Sequence, residues 1–391
     1  MPGELDALGI LAQRLHGPVT GVGRYLGNLL DVWAGEIAAG QFPFRRIVLL
    51  SRDKLDRFTE SPGIECRWRE SGLSDAAWEQ VHAPRLARGL SVLFCPSYSG
   101  PLRVRCPMVV ATLDMLQATR AGDFPLSARL LRGPLYRLSA RRAAAIVTLA
   151  EATVPEIVTR YGVDRARIHA IPLAADPRFT NAPSPDDRDI VRRHVRTEAP
   201  YVLFVGKLAP RRHIPELVEG FARAVADGAF PHRLVLVGPD SQGLFADDAR
   251  MAGLTPRPAS PTSASETVRF TGHVPDADLP ALYRGADLVA YLSEDEGFGL
   301  PIVEAMRSGA PVLTLDRPVS REVAGDAAHY LEEATPATVE AALRLLLGDR
   351  PRRQALAAAG LTRASRFDWS VTARRTLDVL TRTAARRAQH T

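Results

Sequence analysis

Lysine is almost absent from this sequence of 391 residues. Of its 50 basic residues only Lys54 and Lys207 are lysines, and all the others are arginines. The net charge is +6, and the segment 349–391 alone holds ten arginines against three aspartates, so the rest of the chain is close to neutral. A nucleic-acid-binding protein of uniformly basic surface is therefore not expected, and the basic charge marks one region of the chain.

Cysteines and long apolar runs are also scarce. The three cysteines, Cys66, Cys95 and Cys106, are odd in number and show no C-x-x-C spacing, which argues against a disulfide framework and against a bound metal. The apolar run at 143–150 is far shorter than the ~20 residues that span a bilayer. The first residues lack the basic and apolar regions of a secretory signal, so a cytoplasmic location is expected.

Short apolar runs that favour β-strands alternate with helical patterns along the chain. Several of these runs are apolar throughout, which is typical of strands that are buried on both faces of a parallel sheet. The alternation predicts βαβ units and an α/β fold. The predicted strands are 46–51, 91–95, 108–112, 145–149, 168–171, 201–205, 233–237, 268–271, 288–292 and 311–315.

A change in composition predicts where the chain divides. The segment 176–200 is rich in proline, aspartate and arginine and shows no strand pattern, so we place a boundary there and expect Rossmann-like domains at 1–180 and 181–366. A second irregular segment, 257–265, is expected to be a surface loop. Because ligands bind at the carboxyl ends of parallel strands, the cleft between two facing domains is the expected active site.

The segment 294–309 carries the strongest site pattern. It lies between two predicted strands, with Pro301 where a helix begins and Gly309 just past the end of that helix. The first turn of such a helix offers unpaired backbone N–H groups to an anion. Glu296 and Glu304 flank this turn, and carboxylates accept hydrogen bonds from the vicinal hydroxyls of a ribose or a hexose. The pattern therefore indicates a nucleotide sugar, with a capped helix carrying two solvated glutamates as the alternative.

The sequence around these glutamates resembles a known family. EGFGLPIVEAM is similar to the Glu-x7-Glu motif of the retaining glycosyltransferases of family 4, which have the GT-B fold of two facing Rossmann-like domains. The likeness extends over nearly the whole chain and in the order of the family. It includes TGVGRY (20–25), VLFVGKLAPRRHIPELVEGF (202–221), VRFTGHVPDADLPALYRGAD (268–287), SREVAGDAAHYLE (320–332) and RFDWSVTARRTLDVL (366–380).

This resemblance implies roles for the glutamate motif and for the two domains. Glu304 is expected to hold the nucleotide ribose and Glu296 to contact the donor sugar. The backbone amides of Phe298, Gly299 and Leu300 are expected to face the sugar and the phosphate. The C-terminal domain is expected to bind the nucleotide sugar and the N-terminal domain the acceptor, with the helix of 367–391 crossing back to the N-terminal domain.

A basic loop follows the predicted strand 201–205. Lys207 and Arg212 lie five residues apart, and two such cations can neutralise a nucleoside diphosphate as it leaves. The family usually has arginine first and lysine second, so the order is inverted here, and the two side chains are not geometric equivalents. Arg211 and His213 are expected to be surface groups or to support the site indirectly.

Two glycine-containing loops are further candidates. The resemblance implies that Gly21 and Gly23 form a loop close to the donor diphosphate, although a plain turn is the alternative. It also implies that Gly272, His273 and Val274 contact the base through their backbone. His273 has no acidic or histidine partner at a metal-binding spacing. The resemblance further implies that no metal and no cofactor are needed, apart from the nucleotide sugar as donor substrate.

The chain also departs from the family pattern. Leu113 occupies the position where many relatives carry histidine, and Asp114 follows it. Asp114 is a candidate to orient or deprotonate an acceptor hydroxyl, with a loop or helix-capping role as the alternative. Ala150 and Ala174 replace a serine and a glycine that are common in the family.

A second basic region lies at 103–142, which contains eight arginines and only two aspartates. Part of it, LSARLLRGPLYRLSARR, is basic and amphipathic, and some relatives use such a helix to reach lipid acceptors on anionic membranes. A helix with a solvated arginine face is the alternative.

The sequence thus predicts a retaining glycosyltransferase that moves a hexose from a UDP- or GDP-linked donor to a hydroxyl of a small-molecule, glycan or lipid-linked acceptor. It leaves the base, the sugar, the acceptor and the oligomeric state undefined. A nucleotide-sugar-binding protein with weak catalysis, and a GT-B epimerase or phosphorylase, remain as alternatives.

Overall fold

The computed structural model describes residues 5–16, 21–55, 58, 61–120, 126–196, 198–239 and 267–388, with only the backbone of 126–129, 387 and 388. These residues divide into two compact units. The first comprises the described part of Met1–Leu173 together with Asp368–Thr391, and the second is Ala174–Phe367. The chain therefore changes unit near residue 173, a few residues before the boundary predicted at 180.

The first unit is built on a parallel sheet. Its described strands lie in the order β3-β2-β1-β4-β5-β6-β7. They are β1 (Leu5–Leu11), β2 (Phe44–Ser51), β3 (Ile64–Trp68), β4 (Val92–Cys95), β5 (Met108–Ala111), β6 (Ala145–Thr148) and β7 (Ile168–Ala170).

Helices cover this sheet. They are α1 (Gly21–Ala38), α2 (Asp75–Val81), α3 (Ala83–Leu86), α4 (Leu116–Thr119), α5 (Leu126–Arg142) and α6 (Val154–Ile157). The basic sequence predicted to be helical forms α5, with Pro134 inside the helix.

The second unit repeats this arrangement. Its described strands are parallel and lie in the order β10-β9-β8-β11-β12-β13. They are β8 (Tyr201–Val205), β9 (Arg233–Val237), β10 (Val268–Gly272), β11 (Leu288–Tyr291), β12 (Val312–Leu315) and β13 (Ala328–Leu331). Its helices are α7 (Asp187–Val195), α8 (Ile214–Val225), α9 (Leu279–Arg284), α10 (Leu300–Arg307), α11 (Pro318–Ala324), α12 (Pro336–Gly348) and α13 (Arg350–Ala364).

The final helix, α14 (Trp369–Ala388), belongs to the first unit. The Trp33 indole N–H donates to the carbonyl of Ala373 over 3.3 Å, and the Thr372 hydroxyl donates to the carbonyl of Pro172 over 2.7 Å. Trp33 is completely buried, so these contacts lie in the core of the unit. The helix α14 is thereby fixed to the first unit by both apolar burial and hydrogen bonds.

The two parallel sheets confirm the predicted α/β class, and the ten predicted strands are all present, with ends within two residues. Three strands were missed. In the interior strand β1, Asp6 and Gly9 interrupt the apolar sequence pattern. A Cβ at Gly9 would lie 2.2 Å from Cδ1 of Leu90, so the glycine allows close packing. The others, β3 and β13, are edge strands with half-exposed side chains.

Two segments differ from the sequence-based prediction. The predicted linker 176–200 contains the helix α7, whose Asp187 binds Arg284 of α9 through Nε over 2.8 Å. This ion pair is largely buried and ties the segment to the second unit. The predicted loop 257–265 lies outside the described residues.

Candidate active site

Three glycines stand side by side at the carboxyl edge of the second sheet. The Gly206 N–H donates to the carbonyl of Val237 over 2.8 Å, and the Gly238 N–H donates to that of Gly272 over 2.8 Å. Gly206 and Gly238 have φ values of 145° and 136°, and a Cβ at Gly238 would lie 2.1 Å from the Gly206 oxygen. Only glycine permits this approach, which leaves an open backbone surface at the edge. Of the three, sequence analysis identified Gly272 alone.

Arg212 lies over this edge. It closes a short 3-10 turn, Pro210–Arg212, that follows β8, and it is 8% exposed. Its Nη1 donates to the carbonyl of Lys207 over 3.0 Å and packs against Gly206, where a Cβ would be only 2.3 Å away. The guanidinium also lies 5.2 Å from the ring centroid of Tyr291. These contacts fix the arginine, whereas the Lys207 side chain is exposed.

Glu296 faces the guanidinium from the loop after β11. Its Oε1 accepts hydrogen bonds from Nε and Nη2 of Arg212 over 3.1 and 2.9 Å, and from the hydroxyls of Tyr291 and Ser293 over 2.8 Å each. Its Oε2 accepts none from the part of the chain that the structure describes. Burial opposes ionisation, but Arg212, Arg211 and the two hydroxyls outweigh it, so the pKa of Glu296 lies below its ordinary value. The carboxylate is thus held ionised, with one oxygen left for a ligand.

Glu304 lies on α10, one turn after the helix begins. It is 5% exposed, and its Oε2 accepts a hydrogen bond from the Tyr283 hydroxyl over 3.0 Å. The Tyr283 ring packs edge-on against Phe179, with 5.6 Å between the ring centroids. An aromatic pair therefore orients this buried carboxylate.

The start of α10 has the conformation predicted for an anion site. Gly299 precedes the helix with φ 87°, a left-handed value that favours glycine, and Pro301 lies in the first turn. Phe298 is buried and packs edge-on against Phe367, with 5.5 Å between the ring centroids. The turn is thus held in place, and the Leu300 N–H has no carbonyl partner within the helix, whereas Pro301 has no N–H and the Ile302 N–H donates to the carbonyl of Gly299 over 2.9 Å.

An ion cluster supports the loop between β11 and α10, residues 292–299, which carries Glu294 and Glu296 and is called the glutamate loop below. Nε2 of His213 lies 2.8 Å from Oε1 of Glu294, and Nη2 of Arg317 lies 2.9 Å from Oε2. Burial opposes ionisation of Glu294, but both partners outweigh it, so its pKa lies below the ordinary value. His213 has φ 50°, and Arg211 approaches Glu296 to 3.6 Å. Both residues thus connect the loop after β8 to the glutamate loop.

The loop after β10 carries the remaining candidates of this unit. Gly272 has φ 69°, the His273 side chain is exposed, and Val274 is buried. The described residues hold no group of three or more histidine, cysteine, aspartate or glutamate side chains that could bind a metal ion.

The other candidate residues belong to the first unit. The Tyr98 hydroxyl donates to Oδ2 of Asp114 over 2.5 Å, and the N–H of Leu116, the first residue of α4, donates to Oδ1 over 3.0 Å. Leu113 beside it is buried. Tyr98 has φ 62°, a strained value for a tyrosine, and burial raises its pKa well above the ordinary range. Sequence analysis did not identify this tyrosine, because sixteen residues separate it from its partner.

The position of the glycine pair corrects the sequence-based prediction. Gly21 and Gly23 lie within the first turn of α1 rather than in a loop before it, because the helix already begins at Gly21. Gly21 is exposed, and a Cβ there would meet nothing within 4 Å. The preceding residues 17–20 lie outside the described part of the chain.

Comparison with known proteins places this geometry in a fold class. Residues 186–363, a little under half of the chain, match the family "Glycosyl transferases group 1". Among solved structures, Anabaena Alr3699/HepE in complex with UDP and glucose superposes with a TM-score of 0.73 at 17% identity, covering 96% of this chain and 99% of the other. WaaG, a glycosyltransferase involved in lipopolysaccharide biosynthesis, gives 0.69 at 18% identity, covering 96% and 99%. The fold is GT-B.

Curated relatives match this GT-B chain over a smaller share of their length than the solved structures do. The O-antigen chain mannosyltransferase B of Escherichia coli is 28% identical over 227 residues, which cover 58% of each chain. A D-inositol 3-phosphate glycosyltransferase of Kineococcus radiotolerans is 30% identical over 286 residues, 69% of this chain and 64% of the relative. The chain thus spans less than two thirds of the length of these relatives.

Within the GT-B fold, the matched segment contains the whole cluster around Glu296. Lys207, Arg212, Glu296, Glu304 and the loop at Gly272 all lie between residues 186 and 363. Asp114, Gly21 and Gly23 lie outside it. Three hydroxyl donors to the two glutamates, those of Tyr283, Tyr291 and Ser293, were missed by sequence analysis.

Proposed function

We propose that this chain is a retaining glycosyltransferase of the family 4 type. It transfers a hexose from a UDP- or GDP-linked donor to a hydroxyl group of an acceptor. The observation that carries the proposal is the Glu296 carboxylate, because four hydrogen bonds converge on Oε1 while Oε2 accepts none from the described residues. An ionised oxygen held in this way is suited to accept a hydrogen bond from a sugar hydroxyl.

The diphosphate of the donor is assigned to the basic side of the same cluster. Arg212 is fixed beside the carboxylate, and the exposed Lys207 stands at the end of β8 with a flexible side chain. Together with the first amides of α10 they supply positive charge where negative charge develops on the departing nucleotide. The reaction is therefore proposed to need no metal ion.

The nucleoside is assigned to the buried end of the cluster. Glu304 accepts hydrogen bonds from the ribose hydroxyls, with Tyr283 holding its Oε2 in place. The backbone of Gly272, His273 and Val274 contacts the base, since the left-handed Gly272 turns the chain after β10. Amides of Phe298, Gly299 and Leu300 face the sugar and the phosphate.

The acceptor is assigned to the first unit. Asp114 orients or deprotonates the attacking hydroxyl, and the first turn of α1 at Gly21 and Gly23 approaches the diphosphate. Retention of the anomeric configuration is proposed from the resemblance to family 4. The names of the relatives, which include a mannosyltransferase, and a solved structure with UDP-glucose support a hexose as the transferred group.

Product analysis tests the proposal. The chain is incubated with hexose donors of known anomeric configuration and with sugar acceptors, and the product linkage is assigned by NMR. We expect a glycoside with the configuration of the donor. An inverted product contradicts the retaining assignment, and a phosphate-dependent reaction or an epimerised nucleotide sugar would favour a GT-B phosphorylase or epimerase.

A nucleotide-sugar-binding protein with little catalysis is the second candidate function. Leu113 favours it, because its buried side chain offers the donor no polar group where many family members carry histidine. The two candidates differ in turnover. Donor consumption that stays at the background rate with and without acceptors, combined with tight donor binding, identifies the binding protein.

The basic helix α5 is proposed to contact an anionic membrane surface in the cytoplasm. Leu130, Leu131 and Leu138 are 65%, 72% and 50% exposed and lie among arginines such as Arg137. No helix of the described residues is both long and apolar enough to span a bilayer, so the contact is peripheral. Sedimentation with anionic vesicles tests this, and a Leu130→Asp, Leu138→Asp variant that sediments as well as the wild type contradicts it.

A further inference from the structure

A cavity of about 480 Å³ opens at the carboxyl edge of the first sheet. Leu11, the last residue of β1, and Pro96, which follows β4, form part of its lining. Helices α2 and α5 supply other walls, with Glu79 and Tyr136. Parallel sheets bind their ligands at this edge, and of the residues given roles above only Leu131 of α5 lines this cavity.

Glu79 is the unusual member of the lining. Glu79 is only 8% exposed. Its carboxylate accepts hydrogen bonds from the Ser99 hydroxyl and from Nε2 of Gln80, each over 3.2 Å. Among the described residues no arginine or lysine nitrogen lies within 4 Å of it. Burial raises the pKa of Glu79 to about 7, although the hydrogen bonds from Ser99 and Gln80 and the charge of Arg14 oppose this rise. Near neutral pH the group is therefore protonated in part, and it can then donate a hydrogen bond.

Two arginines of the lining lack a carboxylate partner. Arg14 donates through Nε to the Ser97 hydroxyl over 3.4 Å, and Arg132 projects from α5. Both are exposed, and neither forms an ion pair with a carboxylate of the described residues. Asp75, which also lines the cavity, is paired with Arg52 over 3.2 Å. The cavity thus presents two uncompensated guanidinium groups, which bind carboxylates and phosphates well.

Aromatic rings connect this cavity to Asp114. Tyr136 stacks on Tyr98 with 5.2 Å between the ring centroids and 18° between the planes, and the Tyr98 hydroxyl donates to Asp114. A ligand that contacts Tyr136 is therefore separated by one ring from the tyrosine that holds this carboxylate. Tyr136 in the cavity wall thus contacts the tyrosine whose hydroxyl binds the carboxylate assigned to the acceptor.

We propose that this cavity is the acceptor subsite, and that its ligand is a polyhydroxylated small molecule that carries a carboxylate or a phosphate. Arg14 and Arg132 bind the anionic group, and the protonated carboxyl of Glu79 donates a hydrogen bond to the ligand. The inference rests on the proposed function, to which it adds the chemical class of the acceptor.

The charge on Glu79 controls the affinity for such a ligand. The groups that face it are Arg14 after β1, Asp75 on its own helix, Cys95 on β4, and Tyr136 with Arg132 on α5. When Glu79 ionises, a negative charge is added beside the two arginines and the donated hydrogen bond is lost. Binding of an anionic ligand is therefore strongest below the pKa of Glu79 and weakens as the pH rises through it.

Calorimetric titration of the full chain tests the inference with three defined probes, glucose, glucuronate and glucose 6-phosphate. Each is titrated one pH unit below and one above the Glu79 pKa. We expect both anionic sugars to bind about tenfold more tightly than glucose at the lower pH. The two anions separate a carboxylate from a phosphate site. Glucuronate carries the pH test, because its carboxylate stays ionised throughout.

Variants assign the effect to the cavity. Arg14→Gln with Arg132→Gln removes the preference for anionic sugars, whereas Arg88→Gln, on an exposed arginine outside the cavity, leaves it unchanged. Glu79→Gln abolishes the pH dependence of glucuronate binding while keeping the hydrogen bond, and melting temperatures check that each variant folds. Equal affinity for glucose and glucuronate, or a double-arginine variant that binds like the wild type, overturns the inference.

Nucleotide binding separates this inference from the proposed function. UDP and GDP are titrated against the same variants, none of which alters the second unit. Retained nucleotide affinity together with absent anion selectivity rejects the acceptor subsite alone. Absent nucleotide affinity in the wild type rejects the proposed function.

Discussion

Arg212 and Glu296 lie 84 residues apart in the chain and meet through two hydrogen bonds, of 3.1 Å from Nε and 2.9 Å from Nη2, to the same carboxylate oxygen. Arg212 is 8% exposed, so the pair is largely shielded from water and each charge depends on the other. The contact joins the loop after β8 to the loop after β11. The cation assigned to the diphosphate and the anion assigned to the sugar therefore form a single ion pair.

Glu296→Gln tests the anionic part of this pair. The amide keeps the shape but loses the charge, and one of its two terminal atoms becomes a donor, so we expect the transfer rate to fall by about a hundredfold. Affinity for the free nucleotide diphosphate should change little, because this ligand lacks the sugar hydroxyl that Glu296 is assigned to bind. Steady-state rates and calorimetry provide the two values, and Glu333→Gln on an exposed glutamate is the matched control.

Lys207→Ala tests the exposed cation. The side chain is exposed and is assigned to the charge that develops on the leaving diphosphate, so we expect turnover to fall by about tenfold to a hundredfold with a smaller change in donor affinity. The chain offers an internal control, because its other lysine, Lys54, is also exposed but belongs to the first unit. Equal rates for Lys207→Ala and Lys54→Ala would remove Lys207 from the site.

Gly206→Ala tests the glycine edge under Arg212. The new Cβ would lie 2.3 Å from Nη1 of Arg212, and φ at this position is 145°, so the arginine has to move and the backbone is strained. We expect a loss of about 1–3 kcal/mol in the free energy of unfolding together with a strongly reduced transfer rate. Gly228→Ala is the control, because φ there is also positive but nothing lies within 4 Å of the new carbon. A Gly206→Ala variant with the wild-type transfer rate contradicts the fixed position of Arg212.

The fold could be predicted from the sequence where burial on both faces of a strand restricts every position to an apolar side chain. The strand Tyr201–Val205 is apolar at every position because both faces of a parallel sheet are covered, and its ends were predicted without error. The strand Leu5–Leu11 was missed because Gly9 lowers the strand signal at the point where Leu90 packs against it. The contact that requires the glycine is tertiary, and no local pattern contains it.

The candidate site could be predicted in part for the same reason. Glu296 and Glu304 were predicted from their positions around one helix start, and their site roles stay a prediction. The hydroxyl donors Tyr291 and Ser293 were missed, although their spacing of two residues places both on one face of the extended chain leading to Glu296. Tyr98 could not be inferred, because it meets Asp114 only after β4 and β5 pair in the sheet.

Glu79 gives the stability of the protein a defined pH dependence. Burial raises its pKa from 4.5 to about 7, so the folded state binds its proton more tightly than the unfolded chain. Its contribution is complete below about pH 4.5 and is lost as the pH rises through about 7. Glu79→Gln removes this loss, so above that range the variant should be more stable than the wild type by about 1–3 kcal/mol.

Urea unfolding of both proteins at several pH values measures this difference. Asp75→Asn, on the exposed aspartate of the same helix, is the control for removal of a charge. A difference between Glu79→Gln and the wild type that does not vary between pH 4.5 and 7 is inconsistent with a buried, titrating Glu79.

Nucleotide-sugar binding by the glutamate loop and α10 can be measured in a single calorimetric screen. UDP-, GDP-, ADP- and TDP-hexoses are titrated into the wild type and into Glu304→Ala, whose missing carboxylate is the one assigned to the ribose. We predict that one nucleotide series binds the wild type with one molecule per chain, and that Glu304→Ala weakens this binding by at least about tenfold. Binding by none of the four series, or equal affinity for the wild type and Glu304→Ala, would contradict the account.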